Sequence, residues 1–210
     1  MKHIKERVQQ NMKVIGLTGG IGSGKSFVAH VAEKYFKILH ISTDEIARRQ
    51  MLKGGVSYKR VIEEFSGYTS GLIREDGEID RQVLSKLVLN DRNMLEKLDG
   101  ITHPAVIDEV NRMIEEEKEA GIYDAVFIET ALLYEAGMDV ICNEVWYVYA
   151  PLETRRKRLS ESRSYSDEKI DGFFNGQLSE EEFLRRSTRT VPNGDDVTEE
   201  DMIRIIRGYL

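Results

Sequence analysis

The amino-acid sequence predicts an α/β fold with a parallel β-sheet core flanked by helices. Short apolar runs of strand length alternate along the chain with longer stretches whose apolar residues recur at helical spacing. A glycine-rich turn joins the first apolar run to the first helical stretch. Because strands that alternate with helices usually pair in parallel, these observations favour a single parallel sheet. The 210 residues suffice for one domain with an insertion or for two small domains.

The predicted elements follow in chain order. Apolar runs predict buried strands over 14–17, 38–41, 125–128 and 145–149. Helical spacing predicts helices over 27–35, 45–64 with a break near Gly54 and Gly55, 83–88, 94–98, 106–114 and 198–207. Glycines across 66–80 predict a surface excursion. The helical stretch between the second and third strands exceeds a simple crossover, so we expect most of it to form an inserted helical domain.

Composition and charge exclude several classes of protein. The charge sum of 30 − 37 = −7 disfavours broad binding to nucleic acid or to anionic membranes. A single cysteine, Cys142, rules out an intrachain disulfide and fits a reducing compartment. The longest uncharged stretch, 14–24, is rich in glycine, whereas a membrane span needs about 20 apolar residues. Since residues 1–11 lack the apolar core of a secretory signal, we expect a cytoplasmic protein.

One segment matches the phosphate-binding P-loop pattern G-x-x-x-x-G-K-[ST] in full: Gly19-Gly20-Ile21-Gly22-Ser23-Gly24-Lys25-Ser26. It follows a predicted strand and opens a predicted helix, which is the context that this pattern requires. Glycines let backbone amides turn onto phosphate oxygens, and a helix N-terminus adds positive potential. We therefore predict nucleotide binding over 20–26, with Lys25 reaching the β- and γ-phosphates and Ser26 giving one oxygen to Mg²⁺.

The sequence lacks the motifs of several other P-loop classes, which leaves fewer classes to consider. The sequence has no Asn-Lys-x-Asp segment, which GTP switch proteins use to select guanine, and no Asp-x-x-Gly follows 125–128. Rotary and motor ATPases are usually longer. A small-molecule kinase is the remaining common class, and it needs an acceptor-binding insertion and a lid. A P-loop protein that binds ATP and signals without phosphoryl transfer is the alternative from another class. An ATPase that binds nucleic acid is disfavoured by the net charge.

Two carboxylates follow predicted strands at the sheet edge where parallel sheets bind their ligands. Asp44 comes just after the second strand. It either accepts the proton of an attacking hydroxyl or caps the helix that follows. Glu129 ends the third strand. It either holds Mg²⁺ through water or simply marks the point where the strand reaches the surface.

A run of cations interrupts this acidic chain after the fourth strand: Arg155, Arg156, Lys157, Arg158 and Arg163. It is either a solvated helix face paired with nearby glutamates or a lid that closes over the phosphates. We favour the lid, with Arg158 and Arg163 as its phosphate contacts. A second arginine cluster is expected to be a surface feature or a site for acceptor phosphate: Arg185, Arg186 and Arg189.

Taken in order, these motifs resemble the dephospho-CoA kinase family over about residues 13–206. The P-loop appears in the narrower form Thr-Gly-Gly-Ile-Gly-Ser-Gly-Lys-Ser, over 18–26. The further matching residues are Asp44 with Ile46-Ala47-Arg48, Asp76-Gly77, Asp80-Arg81 with Leu84, His103-Pro104 at the expected head of a helix, Leu132-Leu133-Tyr134-Glu135, Gln177 and Asn193.

The resemblance implies a P-loop kinase that phosphorylates the ribose 3′-hydroxyl of dephospho-CoA with ATP and Mg²⁺, giving CoA. Its only partners would be small-molecule substrates, and it would be a monomer or small homo-oligomer. Asp44 would be the catalytic base, Asn193 would lie by the adenine, and the residues near the acceptor would be Arg48, Arg81, His103 and Glu135. The implied division is an extension (1–12), a nucleotide-binding core (13–45, 121–150 and 176–210), an acceptor-binding insertion (46–120) and a lid (151–175). A kinase of another nucleoside, nucleotide or small hydroxyl compound is the near alternative.

The sequence also departs from the family pattern. Ser42 stands where the family often has Asp, and Ala131 stands where it usually has Pro. Ser187 and Thr188 replace a common Ala-Asp pair before the last strand. These changes leave the P-loop and Asp44 untouched. They predict a divergent member of the family, in which acceptor choice and activity are the properties most open to change.

Overall fold

The central sheet is assembled from strands that are far apart in the chain. The computed structural model describes residues 12–89, 91–163 and 165–210, so the predicted N-terminal extension falls almost wholly outside the described residues. The strands are β1 (Lys13–Thr18), β2 (Ile38–Ser42), β3 (Ala125–Glu129), β4 (Glu144–Tyr149) and β5 (Arg189–Pro192). They form one parallel sheet in the order β2-β3-β1-β4-β5. The predicted fold class is confirmed, and four strands lie where apolar runs predicted them.

Helices connect these strands. In the described ranges they are α1 (Lys25–Tyr35), α2 (Thr43–Gln50), α3 (Tyr58–Phe65), α4 (Arg81–Leu89), α5 (Arg92–Ala120), α6 (Leu152–Arg163), α7 (Asp167–Asn175), α8 (Glu180–Arg186) and α9 (Glu199–Tyr209). The predicted break near Gly54 and Gly55 separates α2 from α3. In the same ranges, none of the helices combines the length and the apolar character needed to cross a membrane.

The chain divides into two compact units. The first comprises the described residues up to Ile41 together with Glu116–Leu210, and the second is Ser42–Glu115. The first unit has a core between the sheet and two of its helices. Trp146 lies at the centre of this core, with its ring 5.1 Å from Phe127 and 5.3 Å from Tyr209 in edge-to-face contacts. Its apolar core residues from α1 and α9 include Val28, Ala29, Ala32, Met202 and Ile206.

The second unit has an apolar core of its own. Val61 and Phe65 of α3 are fully buried there. The other buried members of this cluster are Leu72, Ile79, Leu84, Val88 and Ile101. The segment predicted as a surface excursion contributes two of these residues, and a single antiparallel bridge joins its Ile73 and Ile79. Each unit therefore buries enough apolar surface to hold its own elements in place.

His103 and Pro104 lie inside α5, not at the head of a helix, so that prediction is wrong. Proline is favoured at the first turn of a helix because its missing N–H would have no partner there, and this preference misled the prediction. In the interior, Pro104 removes one hydrogen bond of the helical ladder. The helix nevertheless continues through Pro104, and its next turns bury Val106 and Val110.

Thr198 starts α9 with a reciprocal capping box. Its hydroxyl accepts from the Asp201 N–H at 3.2 Å, and the Asp201 carboxylate accepts from the Thr198 N–H at 3.1 Å. We expect Thr198→Ala to lower the free energy of unfolding by about 1 kcal/mol in urea denaturation. Thr198→Ser keeps the cap and should stay within about 0.5 kcal/mol of the parent. Equal losses in both variants would contradict the role of the cap.

Candidate active site

The predicted P-loop is the connection between β1 and α1, and a side chain would be strained at two of its glycines. Gly19 has φ 146° and Gly24 has φ 86°, a region that side chains disfavour. A Cβ on Gly24 would clash with the amide of Asn193, and one on Gly19 would clash with the carbonyl oxygen of Val148. The glycines therefore provide both the backbone conformation and the close approach of neighbouring segments.

Side chains from distant parts of the first unit hold the outward-facing carbonyls of this loop. Asn193, which is buried, donates its amide to the Ser23 carbonyl oxygen at 2.7 Å. The guanidinium Nε of Arg155 donates to the Ile21 carbonyl oxygen at 2.9 Å. Gln177 accepts from the Ile21 N–H at 2.9 Å and from Arg155 at 3.2 Å. These contacts fix the curvature of the loop from outside.

Lys25 begins α1, and its ammonium group lies against the loop. Its Nζ donates to the Gly19 carbonyl oxygen at 2.9 Å and approaches the Gly20 carbonyl oxygen at 3.4 Å. The cation is therefore held beside the N-terminus of α1, where the helix dipole also favours negative charge. Backbone amides, a helix N-terminus and a lysine together make a site suited to phosphate groups.

Ser26, Glu129 and His40 form a chain of hydrogen bonds at the carboxyl edge of the sheet. The Ser26 hydroxyl donates to Glu129 Oε1 at 2.5 Å, and His40 Nε2 lies 2.8 Å from Glu129 Oε2. Burial alone would raise the pKa of Glu129. The hydrogen bonds from His40 and Ser26, with the charge of Lys25, hold that pKa below its ordinary value. Glu129 is therefore an ionised carboxylate next to a P-loop hydroxyl.

These groups fit a magnesium ion that is shared with a nucleotide. Mg²⁺ prefers oxygen ligands, retains several waters and usually takes one or two protein oxygens together with substrate phosphates. Ser26 and Glu129 supply such oxygens next to the P-loop. Across the described residues there is no group of three or more His, Cys, Asp or Glu side chains that could hold a metal. The donor set therefore suits a nucleotide-bound Mg²⁺ and not a dedicated protein cage.

The cations of α6 have different partners, and their role as a lid stays a prediction. Arg155 and Arg158 lie one helical turn apart and both reach the P-loop region, Arg158 by donating to the Asn193 carbonyl oxygen at 3.1 Å. Arg156 instead pairs with Asp167 and Asp171 on α7. The side chain of Arg163 lies outside the described part of the chain, so its role remains a prediction.

Arg155 is the residue that sequence reasoning placed in the cluster but did not select. Its guanidinium lies close to Gly20 and stacks 4.6 Å from the ring of Phe174. The spacing of three residues from Arg158, which puts both on one helix face, was the available signal. The partner residue Gln177 appeared only through the family resemblance, because nothing in its local sequence points to the P-loop.

The second arginine cluster is occupied by ion pairs within the first unit. Arg186 lies 3.9 Å from the centre of the Tyr134 ring and 3.5 Å from the Asp139 carboxylate. Arg189 pairs with Glu144 at 3.0 Å. These contacts pair the cluster within the first unit, and its binding of acceptor phosphate stays a prediction.

The predicted acceptor residues lie mainly in the second unit. Asp44 is exposed in the first turn of α2, but the cap of that helix is Ser42, whose hydroxyl accepts from the Glu45 N–H at 3.4 Å. The alternative in which Asp44 caps the helix is therefore wrong. Arg48 pairs with Glu45 at 2.7 Å on the same exposed face.

The remaining predicted acceptor residues are placed as follows. Arg81 is exposed at the first position of α4, and His103 lies 3.4 Å from Asp99 one turn earlier in α5. Glu135 is exposed in the turn after β3, in the first unit. Their contact with an acceptor stays a prediction, as does the position of Asn193 beside an adenine.

Two departures from the family pattern have structural partners of their own. The Ser187 hydroxyl lies 2.9 Å from the Tyr134 hydroxyl. The Thr188 hydroxyl donates to the Val145 carbonyl oxygen and accepts from the Val145 N–H, both at 2.7 Å. Thr188 thus satisfies both backbone hydrogen-bonding groups of Val145 near the start of β4, which is a local structural role.

Comparison with known proteins gives the family. The family model described as dephospho-CoA kinase matches residues 13–199. A relative from Moorella thermoacetica, named dephospho-CoA kinase, is 37% identical over 186 residues, covering 89% of this chain and 86% of the relative.

Solved structures agree in fold. A Thermus thermophilus protein, TT1252, superposes with a TM-score of 0.77 at 29% identity, covering 94% of this chain and 96% of the other. Dephospho-CoA kinase from Campylobacter jejuni superposes with a TM-score of 0.66 at 22% identity, over 93% of this chain and 96% of the other, which shows a shared fold. With the family model matching nearly the whole chain, this protein belongs to the dephospho-CoA kinase family.

Proposed function

We propose that this protein transfers the γ-phosphoryl group of ATP to the ribose 3′-hydroxyl of dephospho-CoA, producing CoA and ADP. The observation that carries the proposal is the P-loop, whose carbonyls are held from outside so that its amides can face phosphate oxygens, in a chain of this family. The reaction is the last step of coenzyme A biosynthesis.

The P-loop holds the triphosphate. Backbone amides of 20–26 bind its oxygens, apart from those of Ile21 and Ser23, which donate to Gln177 and to the Gly20 carbonyl oxygen. The ammonium of Lys25 moves from the Gly19 carbonyl oxygen to the β- and γ-phosphates. Arg155 and Arg158, already at the loop, add positive charge where the transition state spreads its negative charge. When Arg155 and Arg158 close over the nucleotide, they exclude water and so suppress hydrolysis of ATP.

Ser26 and Glu129 are the residues that would hold Mg²⁺, Ser26 directly and Glu129 through water. A bound Mg²⁺ would neutralise part of the charge on the phosphate groups. Glu129 accepts a hydrogen bond from the Ser26 hydroxyl, which turns the serine lone pairs outward from the carboxylate. Because Glu129 is held ionised, it retains this accepting role at neutral pH.

Asp44 is the general base. It lies two residues after the end of β2. Parallel sheets bind their ligands beyond the carboxyl ends of their strands, which is where this position falls. Its exposed carboxylate has no hydrogen-bond partner among the described residues, which leaves it available to a hydroxyl. The acceptor oxygen bonds to the γ-phosphorus, its proton passes to Asp44, and the bond from the γ-phosphorus to the bridging oxygen breaks to release ADP.

The direct experiment incubates the purified protein with ATP, Mg²⁺ and dephospho-CoA and follows CoA by mass spectrometry. Adenosine, other nucleosides and small polyols are offered in parallel as acceptors. Formation of CoA with negligible phosphorylation of the other acceptors is the expected result. ATP binding without CoA, together with phosphorylation of another acceptor, would contradict the proposed substrate.

Asp44→Asn should reduce turnover by about 10³-fold, because it removes the group that accepts the hydroxyl proton. The Kd for ATP, measured by calorimetry, should change less than about twofold, since the P-loop is intact. Glu45→Gln is the matched control: it neutralises the adjacent exposed carboxylate and should keep turnover within about threefold. Turnover within twofold of the parent in Asp44→Asn would disprove the base assignment.

Lys25→Met should lower turnover by at least about 10²-fold, because a preorganised cation is lost from the developing phosphate charge. Lys34→Met is the control, since Lys34 lies later on the same helix and pairs with Glu199 at 2.8 Å. Steady-state assays at saturating acceptor measure both variants. A Lys25→Met enzyme with parental turnover would show that the lysine does not act on the phosphates.

A further inference from the structure

His40 is a largely buried polar side chain that the proposed mechanism does not use. It lies on β2, whose neighbour in the sheet is β3, and its Nε2 is 2.8 Å from Glu129 Oε2. The two side chains are 11% and 12% exposed. Burying two polar side chains to this extent costs free energy unless they are hydrogen-bonded to each other. The contact is therefore a specific part of the site.

The direction of this contact follows from the chemistry of its partners. Glu129 is an ionised carboxylate and can only accept hydrogen bonds, so His40 donates from Nε2. His40 thus donates to Oε2 of the carboxylate, and Ser26 donates to Oε1. The hydrogen bond from His40 to Oε2 therefore opposes any rotation of the carboxylate that would move Oε1 away from the serine.

The ring of His40 is itself fixed. It packs edge to face against His30, with ring centres 5.6 Å apart. The Nδ1 of His30 lies 2.5 Å from the backbone carbonyl oxygen of Ser26. The His40 ring is thus held between β3 and the first turn of α1, the two elements that carry Glu129 and Ser26.

A fixed carboxylate has a consequence for the serine. A hydroxyl has one hydrogen and two lone pairs, and a metal ion can bind only to the lone pairs. When the hydrogen of Ser26 is committed to Glu129, the lone pairs are presented to the space beside the P-loop. If Glu129 were free to rotate, the hydroxyl would lose this fixed orientation and part of its value as a ligand.

We propose that His40 is a positioning residue for the Mg²⁺–nucleotide site: it locks the Glu129 carboxylate so that Ser26 presents its lone pairs to the metal. The inference rests on the proposed nucleotide chemistry, but it concerns metal-dependent nucleotide binding and not the acceptor. It assigns a role to a contact between residues 89 positions apart in the sequence.

The experiment measures the Kd of ADP by calorimetry, once in Mg²⁺ and once in EDTA, for the parent and for His40 variants. The ratio of the two Kd values reports the coupling between metal and nucleotide. His40→Ala should reduce this ratio by about 10-fold, the usual cost of losing a group that orients a metal ligand. Its Kd in EDTA should match that of the parent, which also shows that the P-loop is folded.

Two further variants separate positioning from packing. His40→Gln keeps an N–H donor near the position of Nε2 and should restore the ratio to within about threefold of the parent. His30→Ala removes the neighbouring ring but keeps the bond from His40 to Glu129, so it should lower the ratio less than His40→Ala does. Restoration by glutamine supports the proposal. An unchanged ratio in His40→Ala, or an equal loss in the alanine and glutamine variants, would overturn it.

The same data keep this inference separate from the proposed reaction. A parent protein that binds ADP in a Mg²⁺-dependent manner but forms no CoA would contradict the acceptor assignment alone. A parent that forms CoA while His40→Ala keeps the full Mg²⁺ coupling would contradict the role of His40 alone.

Discussion

The loop between β1 and α1 must turn its amides toward a ligand, and the rest of the first unit is arranged around that requirement. Amides that face inward force neighbouring carbonyls outward, and a buried carbonyl without a partner costs about 1–3 kcal/mol. Asn193 and Arg155 meet this need by donating to Ser23 and Ile21 from segments 170 and 134 positions away. The phosphate site is therefore local in sequence but depends on the C-terminal half of the chain for its shape.

The sheet order explains how such distant groups meet. β1 lies at the centre, between β3 and β4, so Leu17 is in register with both Glu129 and Trp146. The carboxyl ends of these parallel strands then place the P-loop, Glu129 and the start of the α6 connection at one edge. Because the second unit closes its own apolar core, the long insertion between β2 and β3 does not have to contribute to the core around Trp146.

Local patterns in the sequence predicted the features that depend on neighbouring residues. The P-loop, four strands and the break between α2 and α3 are examples, since glycine spacing and apolar runs determine them within a few residues. Features that depend on remote partners were not predictable in this way. The donation from Arg155 to the loop and the bond between His40 and Glu129 need the tertiary fold, and β5 is too short and too polar to give an apolar run. Pro104 misled because its preference for helix starts is weaker than the packing that carries α5 through it.

Net charge is a poor guide to what the site can bind. The chain carries −7, and several of the cations in its described part are paired with carboxylates, such as Arg156 with Asp171 and Arg189 with Glu144. At physiological ionic strength the screening length is about 8 Å, so remote carboxylates have little influence at the P-loop. The positive part of the local field comes from Lys25, from the helix N-terminus and from the guanidinium of Arg155, whose closest polar partners are a backbone carbonyl and a glutamine amide. The ionised Glu129 opposes it. An acidic protein can thus hold a highly charged triphosphate, because binding is decided within one screening length of the loop.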